Sequence, residues 1–329
     1  MIINTKICFL FALILILKLC SLITNVLAAE EYPNKPIRII VGYLPGGPVD
    51  VVLRPLAQKI SESLGQTIII DNRPGANGNI GADAVVKSLP DGYTLLMATF
   101  AQLTNNPTLY RNMPFDTDKD LAPISLVAMS PGAVVVHPSI PVKTLKELIA
   151  QAKKNPNKFN FSSTGNGSAN HLAGELFKSL ANISMTHVPY KGGNPALNAT
   201  VGGEVEMIII SLPLSLPFIK SGRLRPLALC SLNRTKLWPQ LPTTAESGLP
   251  GLESSSGPGL LAPSATSKPV INRLYNEIIK AISSPKLREL YTSQGLDVIG
   301  NSPEEFSGFI RIETLRWSKI IRSANVKLD

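Results

Sequence analysis

A two-lobed α/β clamshell is the fold class that the sequence predicts, on three observations. Apolar, β-branched runs alternate with segments of helical apolar spacing, the pattern of parallel strands joined by crossover helices. That alternation fills the first third of the chain and restarts after Pro131, so two α/β units stand side by side. At 329 residues the chain also exceeds what one core ordinarily serves. A late irregular return and terminal helices bring the chain back to the first unit. The expected division is a leader over 1–28, a first lobe over 29–128, a second lobe over 129–235, and a return to the first lobe over 236–329. The two crossings between lobes are expected near Ser125 to Ser130 and near Ser231 to Pro242.

The chain opens with Lys6, an apolar run from Ile7 to Leu17, and Val26-Leu27-Ala28. Basic, apolar and small-residue regions in that order predict export by a signal peptide cleaved after Ala28. Lys18 interrupts the run, which argues against a membrane span. Ile37 to Val41 reads as a buried strand, stopped by Gly42 to Gly47 and followed by a helix over Pro48–Leu64. Thr67 to Asp71 is the second strand, Asn79 to Ser88 a helix, and Tyr93 to Thr99 the third strand. Asn105-Asn106-Pro107 reads as a turn. Ala133 to Val136 begins the second unit. Thr144 to Glu147 is a capping box for a helix reaching Asn155. The strand Phe159–Ser163 leads through Ser162 to Ser168 into a helix over 169–181 capped by Ser168. Met185 to Val188, Glu206 to Ile210 and Leu224 to Cys230 are further strands, with helices after Asn194 and Leu214. Residues 233–263 are rich in Pro, Gly and Ser, and three helices follow from Pro269, Pro285 and Pro303.

Three loops carry the functional reading. Tyr43 to Gly47 (with Pro45, Gly46), Ser162 to Ser168 (with Thr164, Gly165, Gly167) and Pro189 to Gly193 (with Tyr190, Lys191) each join a strand end to a helix start. Unpaired backbone N–H groups and the helix dipole make such places attractive to anions. In a two-lobed fold they converge on the crevice at the strand ends. Lys191 would add a cation and Tyr190 a hydroxyl. Ile210 and Ser211 end a strand at the same crevice.

Composition excludes other classes. The net charge is +9, and no basic run exceeds two residues, which gives no nucleic-acid face. Loss of Cys8 and Cys20 with the leader leaves Cys230 alone, so the mature chain rests on its core rather than on a disulfide. Glycines 75, 78 and 81 have the wrong spacing for a dinucleotide fingerprint. His137, His171 and His187 have no metal-ligand spacing, so no metal is expected. Ser168 lies outside a G-x-S-x-G elbow, and the expectation is binding without catalysis. The alternative from another class is a secreted hydrolase using Ser168 and His171.

The chain also resembles the Bug family, the periplasmic receptors of tripartite tricarboxylate transporters. The resemblance rests on Tyr32-Pro33-Asn34-Lys35-Pro36-Ile37-Arg38, Pro45 to Asp50, Asn72 to Ala76 and Pro90 to Leu96. It continues through Asn106-Pro107, Gly167-Ser168, His171 to Phe177, His187 to Gly192, Pro242-Thr243 and Ala245 to Gly248. These ordered motifs span nearly the whole mature chain. What the resemblance implies is a monomeric, periplasmic clamshell of the type II (Venus flytrap) kind that binds a small carboxylate without cofactor or catalysis. It implies that Tyr43 to Gly47 and Ser162 to Ser168 hold the carboxylate, and that the partner is a two-subunit membrane permease, or for some members a sensor. Amino-acid-binding members are implied to carry an aspartate where this chain has Ile210. A di- or tricarboxylate or a related acid without an amino group is therefore expected here.

Overall fold

The computed structural model describes residues 32–328; the leader expected over 1–28, with cleavage after Ala28, falls outside the described residues. The first unit runs β1 (Ile37–Val41), α1 (Pro48–Leu64), β2 (Ile68–Asn72), α2 (Asn79–Val86), β3 (Thr94–Thr99), α3 (Phe100–Leu109), α4 (Thr117–Asp120) and β4 (Leu121–Leu126). The second runs β5 (Ala128–Val136), α5 (Leu145–Lys154), β6 (Asn160–Ser163), α6 (Ala169–Ala181), β7 (Thr186–Pro189), α7 (Gly193–Gly202), β8 (Met207–Ser211), α8 (Leu212–Lys220) and β9 (Arg225–Cys230). After β10 (Ser255–Ser256) come β11 (Pro258–Pro263), α9 (Lys268–Ile282), α10 (Pro285–Ser293), β12 (Asp297–Val298) and α11 (Pro303–Ser323).

Two sheets result. The first is five-stranded in the order β2-β1-β3-β11-β4, and the second is seven-stranded, built around β5 and β8. Both are covered on their two faces by helices, which is why their strands read as continuous apolar runs. Ile39 and Val41 face a core shared with Leu53 and Leu56 of α1 and Leu274 and Ile278 of α9. Ile40, one residue out of phase, faces Val85, Phe100 and Phe306 instead. The second sheet repeats the alternation, with Val134 and Ile209 on one face and Val135 and Ile208 on the other. Each such buried aliphatic side chain contributes roughly 1.5–3 kcal/mol.

The chain passes from the first sheet to the second between Leu126 and Ala128. The second crossing comes later than Ser231 to Pro242. Residues 231–254 stay with the second sheet, because Thr244 N donates to Leu229 O, Ser254 N to Cys230 O and Gly132 N to Ser254 O. The chain crosses at Gly257, where a Cβ would come within 2.1 Å of Ala128 O. The predicted turn at Asn105-Asn106-Pro107 lies inside α3. Thr99 caps that helix, and tertiary bonds hold two of its polar side chains: Gln102 Nε2 to Gly78 O and Asn106 Nδ2 to Asn79 Oδ1.

A third connection is made by α11, which starts in a capping box of Ser302 and Glu305. Its Phe306 and Ile310 belong to the first lobe, while Trp317 and Ile321 pack with Leu172 of α6 in the second. No helix among the described residues is long and apolar enough to cross a membrane.

Candidate functional site: the crevice between the lobes

The first loop is shaped from within. Gly42 lies so close to Gly78 that a Cβ would meet its Cα at 2.4 Å. Gly46 has φ 80, and its N–H donates to Asp50 Oδ2 at 2.8 Å. The buried Asp50 carboxylate also takes Nε and Nη2 of Arg54 at 3.1 and 2.9 Å. Asp50 thus ties the loop to the first turn of α1. Tyr43 turns inward, its hydroxyl bonded to Asn77 O at 3.0 Å and to Thr99 Oγ1 at 2.9 Å. Burial pushes its pKa up to about 12, so it stays a neutral hydroxyl. Pro45 and Gly46 remain exposed at the loop tip, and Gly47 is the N-cap of α1.

The second loop is pinned from behind by two histidines. Gly167 N donates to His171 Nδ1 at 3.0 Å, and Ser163 Oγ meets His187 Nε2 at 2.6 Å. The imidazoles stack with centroids 3.8 Å apart, and Phe161 lies over His187 at 5.0 Å. Burial lowers the pKa of both; that of His187 falls to about 4, helped by His171 and Lys178. Glu175 works the other way on His171, across 3.8 Å. Ser168 Oγ accepts from His171 N and donates to Gly165 O, so it is spent on capping α6. The His171 ring faces Gly167 N–H rather than the Ser168 hydroxyl, and this is no serine–histidine relay. Gly165 donates its N–H to Ser163 Oγ and sits at φ 127, a conformation that suits glycine.

The lobes meet at these loops. Asn77 Nδ2 donates to Asn166 O at 3.1 Å across the gap. Gly46 approaches Asn194, and Leu44 approaches Gly192. Behind this mouth lies a narrow crevice of about 40 Å³, lined by Thr164, Asn170, Ile210, Ser211, Leu214 and Ser254 among others. A second, more apolar compartment adjoins it through Pro48, Ser211 and Ser256, walled by Val49, Val52, Pro213, Pro258 and Leu296. No lining side chain of either compartment is ionisable. The helix starts at Pro48, Ala169 and Leu212 supply positive potential instead, each equivalent to roughly half a charge. Such a place can hold an anion with neutral donors; it offers neither a base nor a nucleophile for chemistry.

Of the residues singled out from sequence, Thr164, Ile210 and Ser211 line the crevice, and Tyr43, Pro45, Gly46, Gly47, Gly165 and Ser168 build the loops around it. Four lie elsewhere. Ser162 is buried behind the loop, bonded to Thr200 Oγ1 and Ala196 O. Gly167 and His171 are buried in support of it, and Lys191 is exposed. Tyr190 is half-buried against the second-lobe core. Ala169, Asn170, Gly132, Ser254 and Ser256 were not singled out. Asn170 was legible as a first-turn residue of α6; its Nδ2 donates to Ile209 O and its Oδ1 accepts from Thr164 Oγ1. The two serines come from the irregular return, which carries no periodic signal.

Comparison with known proteins decides the family. Residues 52–326 match the tripartite tricarboxylate transporter family receptor, TctC. The chain belongs to the TctC family. Among relatives, BugT of Bordetella pertussis is 37% identical over 302 residues, covering 92% of this chain and 93% of its own. A Pseudomonas sp. (strain P51) protein of the tcbD-tcbE intergenic region is also 37% identical, over 89% of this chain and 87% of its own. Among solved structures, the periplasmic binding protein BugD has a TM-score of 0.84 at 32% identity, covering 90% of this chain and 99% of its own. R. palustris Rpa4515 with adipate has 0.87 at 33%, over 90% and 99%. MatC of Rhodopseudomonas palustris with bound malate has 0.82 at 27%, over 88% and 100%. TctC proteins are periplasmic solute-binding receptors rather than enzymes, and the clamshell described above is their architecture.

Proposed function

We propose that this TctC chain is an exported receptor that closes on a small organic carboxylate and delivers it to membrane permease subunits of a tripartite transporter. The observation that carries the reading is the crevice itself: converging helix starts and neutral hydroxyls, with no ionisable side chain on the wall. A carboxylate is satisfied by backbone donors and helix dipoles there. The carboxylates bound by Rpa4515 and MatC support the same class for this chain.

The ligand is an acid without an ammonium group, of the di- or tricarboxylate kind or related to it. Ile210 is buried beside Ser211 at the end of β8, so an ammonium held there has no counter-charge. Burying it unpaired costs several kcal/mol. Thermal-shift measurements with succinate against aspartate test this. Stabilisation by succinate and none by aspartate is expected; tight binding of aspartate with succinate ignored overturns the role given to Ile210.

A further inference from the structure

Ser211 stands at the N-cap of α8, yet its side chain makes no capping bond. An N-cap serine ordinarily accepts from the backbone N–H two or three residues on. Here the first of those positions is Pro213, which has no N–H to give, and the N–H of Leu214 at the other makes no bond to the serine. Its Oγ is buried without a hydrogen-bond partner, on a residue only 7% exposed. In the β5–β8 register Ser211 lies opposite Gly132, which puts no side chain over it. Both compartments of the crevice share it. A buried hydroxyl with no partner costs about 1–3 kcal/mol, so something that enters the crevice is expected to satisfy it.

The position says what that group is. On one side are Thr164 of the β6–α6 loop and Asn170 in the first turn of α6, where a carboxylate belongs. On the other are Val49, Val52 and Leu296, where a charge would be unpaired. We infer that Ser211 is a specificity residue that pairs with a neutral oxygen on the ligand's carbon skeleton, so that the preferred ligand is a hydroxy acid whose carboxylate groups stay on the α6 side. This rests on the carboxylate reading above. A site built around a hydroxyl rejects the analogue that lacks it, because its own polar group is then left unpaired.

The test is titration calorimetry with matched pairs: lactate and propionate, malate and succinate, 2-hydroxyadipate and adipate. The wild-type receptor is expected to favour the hydroxylated member of the pair it binds by about tenfold or more. The Ser211→Ala variant is expected to bring the two members within about twofold of one another, chiefly by binding the plain acid better. Its unliganded melting point should not fall, since the hydroxyl holds nothing in the fold. An unaltered preference in Ser211→Ala, or a wild type that favours the plain acid, overturns the assignment of Ser211. No heat with any of the six acids overturns the carboxylate reading instead.

Discussion

His171 and His187 show how single residues hold a crevice loop from behind. Stacked and half-enclosed, both are held neutral, and His171 Nδ1 can accept from Gly167 only while unprotonated. The folded pKa of His187, about 4, lies below its ordinary 6.5. The unfolded chain therefore binds more protons than the folded one between those values, and stability rises with pH across that window. Denaturant midpoints should fall as pH drops from 6.5 toward 4, and His187→Phe should flatten the slope; an unchanged slope would place the titrating group elsewhere. Ser168 makes a different prediction. Because its hydroxyl is spent on the α6 cap, Ser168→Ala should lower stability by about 1 kcal/mol while leaving ligand affinity within about twofold. A large affinity loss at unchanged stability would show that the hydroxyl reaches the ligand.

At the scale of elements, the first loop and α1 act as one piece through Asp50. Asp50→Ala releases Gly46 N–H and the Arg54 guanidinium together. Affinity is expected to fall about tenfold, roughly 1.4 kcal/mol, with the far-ultraviolet spectrum unchanged; unaltered affinity would mean the loop holds its shape unaided. The elements themselves were largely legible, because β1, β5 and β8 are buried on both faces and so must read as apolar runs. The glycine-bounded loops were legible for the same reason, as breaks in those runs. Two elements were not. The helix α3 hides behind Asn105, Asn106 and Pro107; Asn106 Nδ2 bonds to Asn77 O and Asn79 Oδ1, partners that no local pattern reveals. The return of the chain at Gly257 depends on hydrogen bonds to Leu229 and Cys230, more than a dozen residues away. The same non-locality kept Ser254 and Ser256 out of the sequence-derived site, whereas Thr164 and Ser211 flank helix starts and could be found.

The whole molecule is two lobes joined by two strand crossings and braced by α11. Trp317 packs with Leu172 of the opposite lobe, and Arg316 Nη2 bonds to Glu253 O at 3.3 Å. Trp317→Ala should cost about 3–5 kcal/mol, seen as a large drop in denaturant midpoint. A loss below 1 kcal/mol would mean that the brace carries no load. We expect closure to be driven by a carboxylate held on helix starts and neutral hydroxyls. This is tested most directly by titration calorimetry of a bound acid beside its neutral amide, followed by mass analysis of the recovered ligand. The acid is expected to bind and to be recovered unchanged, while the amide binds at least about a hundredfold more weakly for want of the charge-assisted bonds. Equal binding of acid and amide, or recovery of a cleaved product, would contradict it.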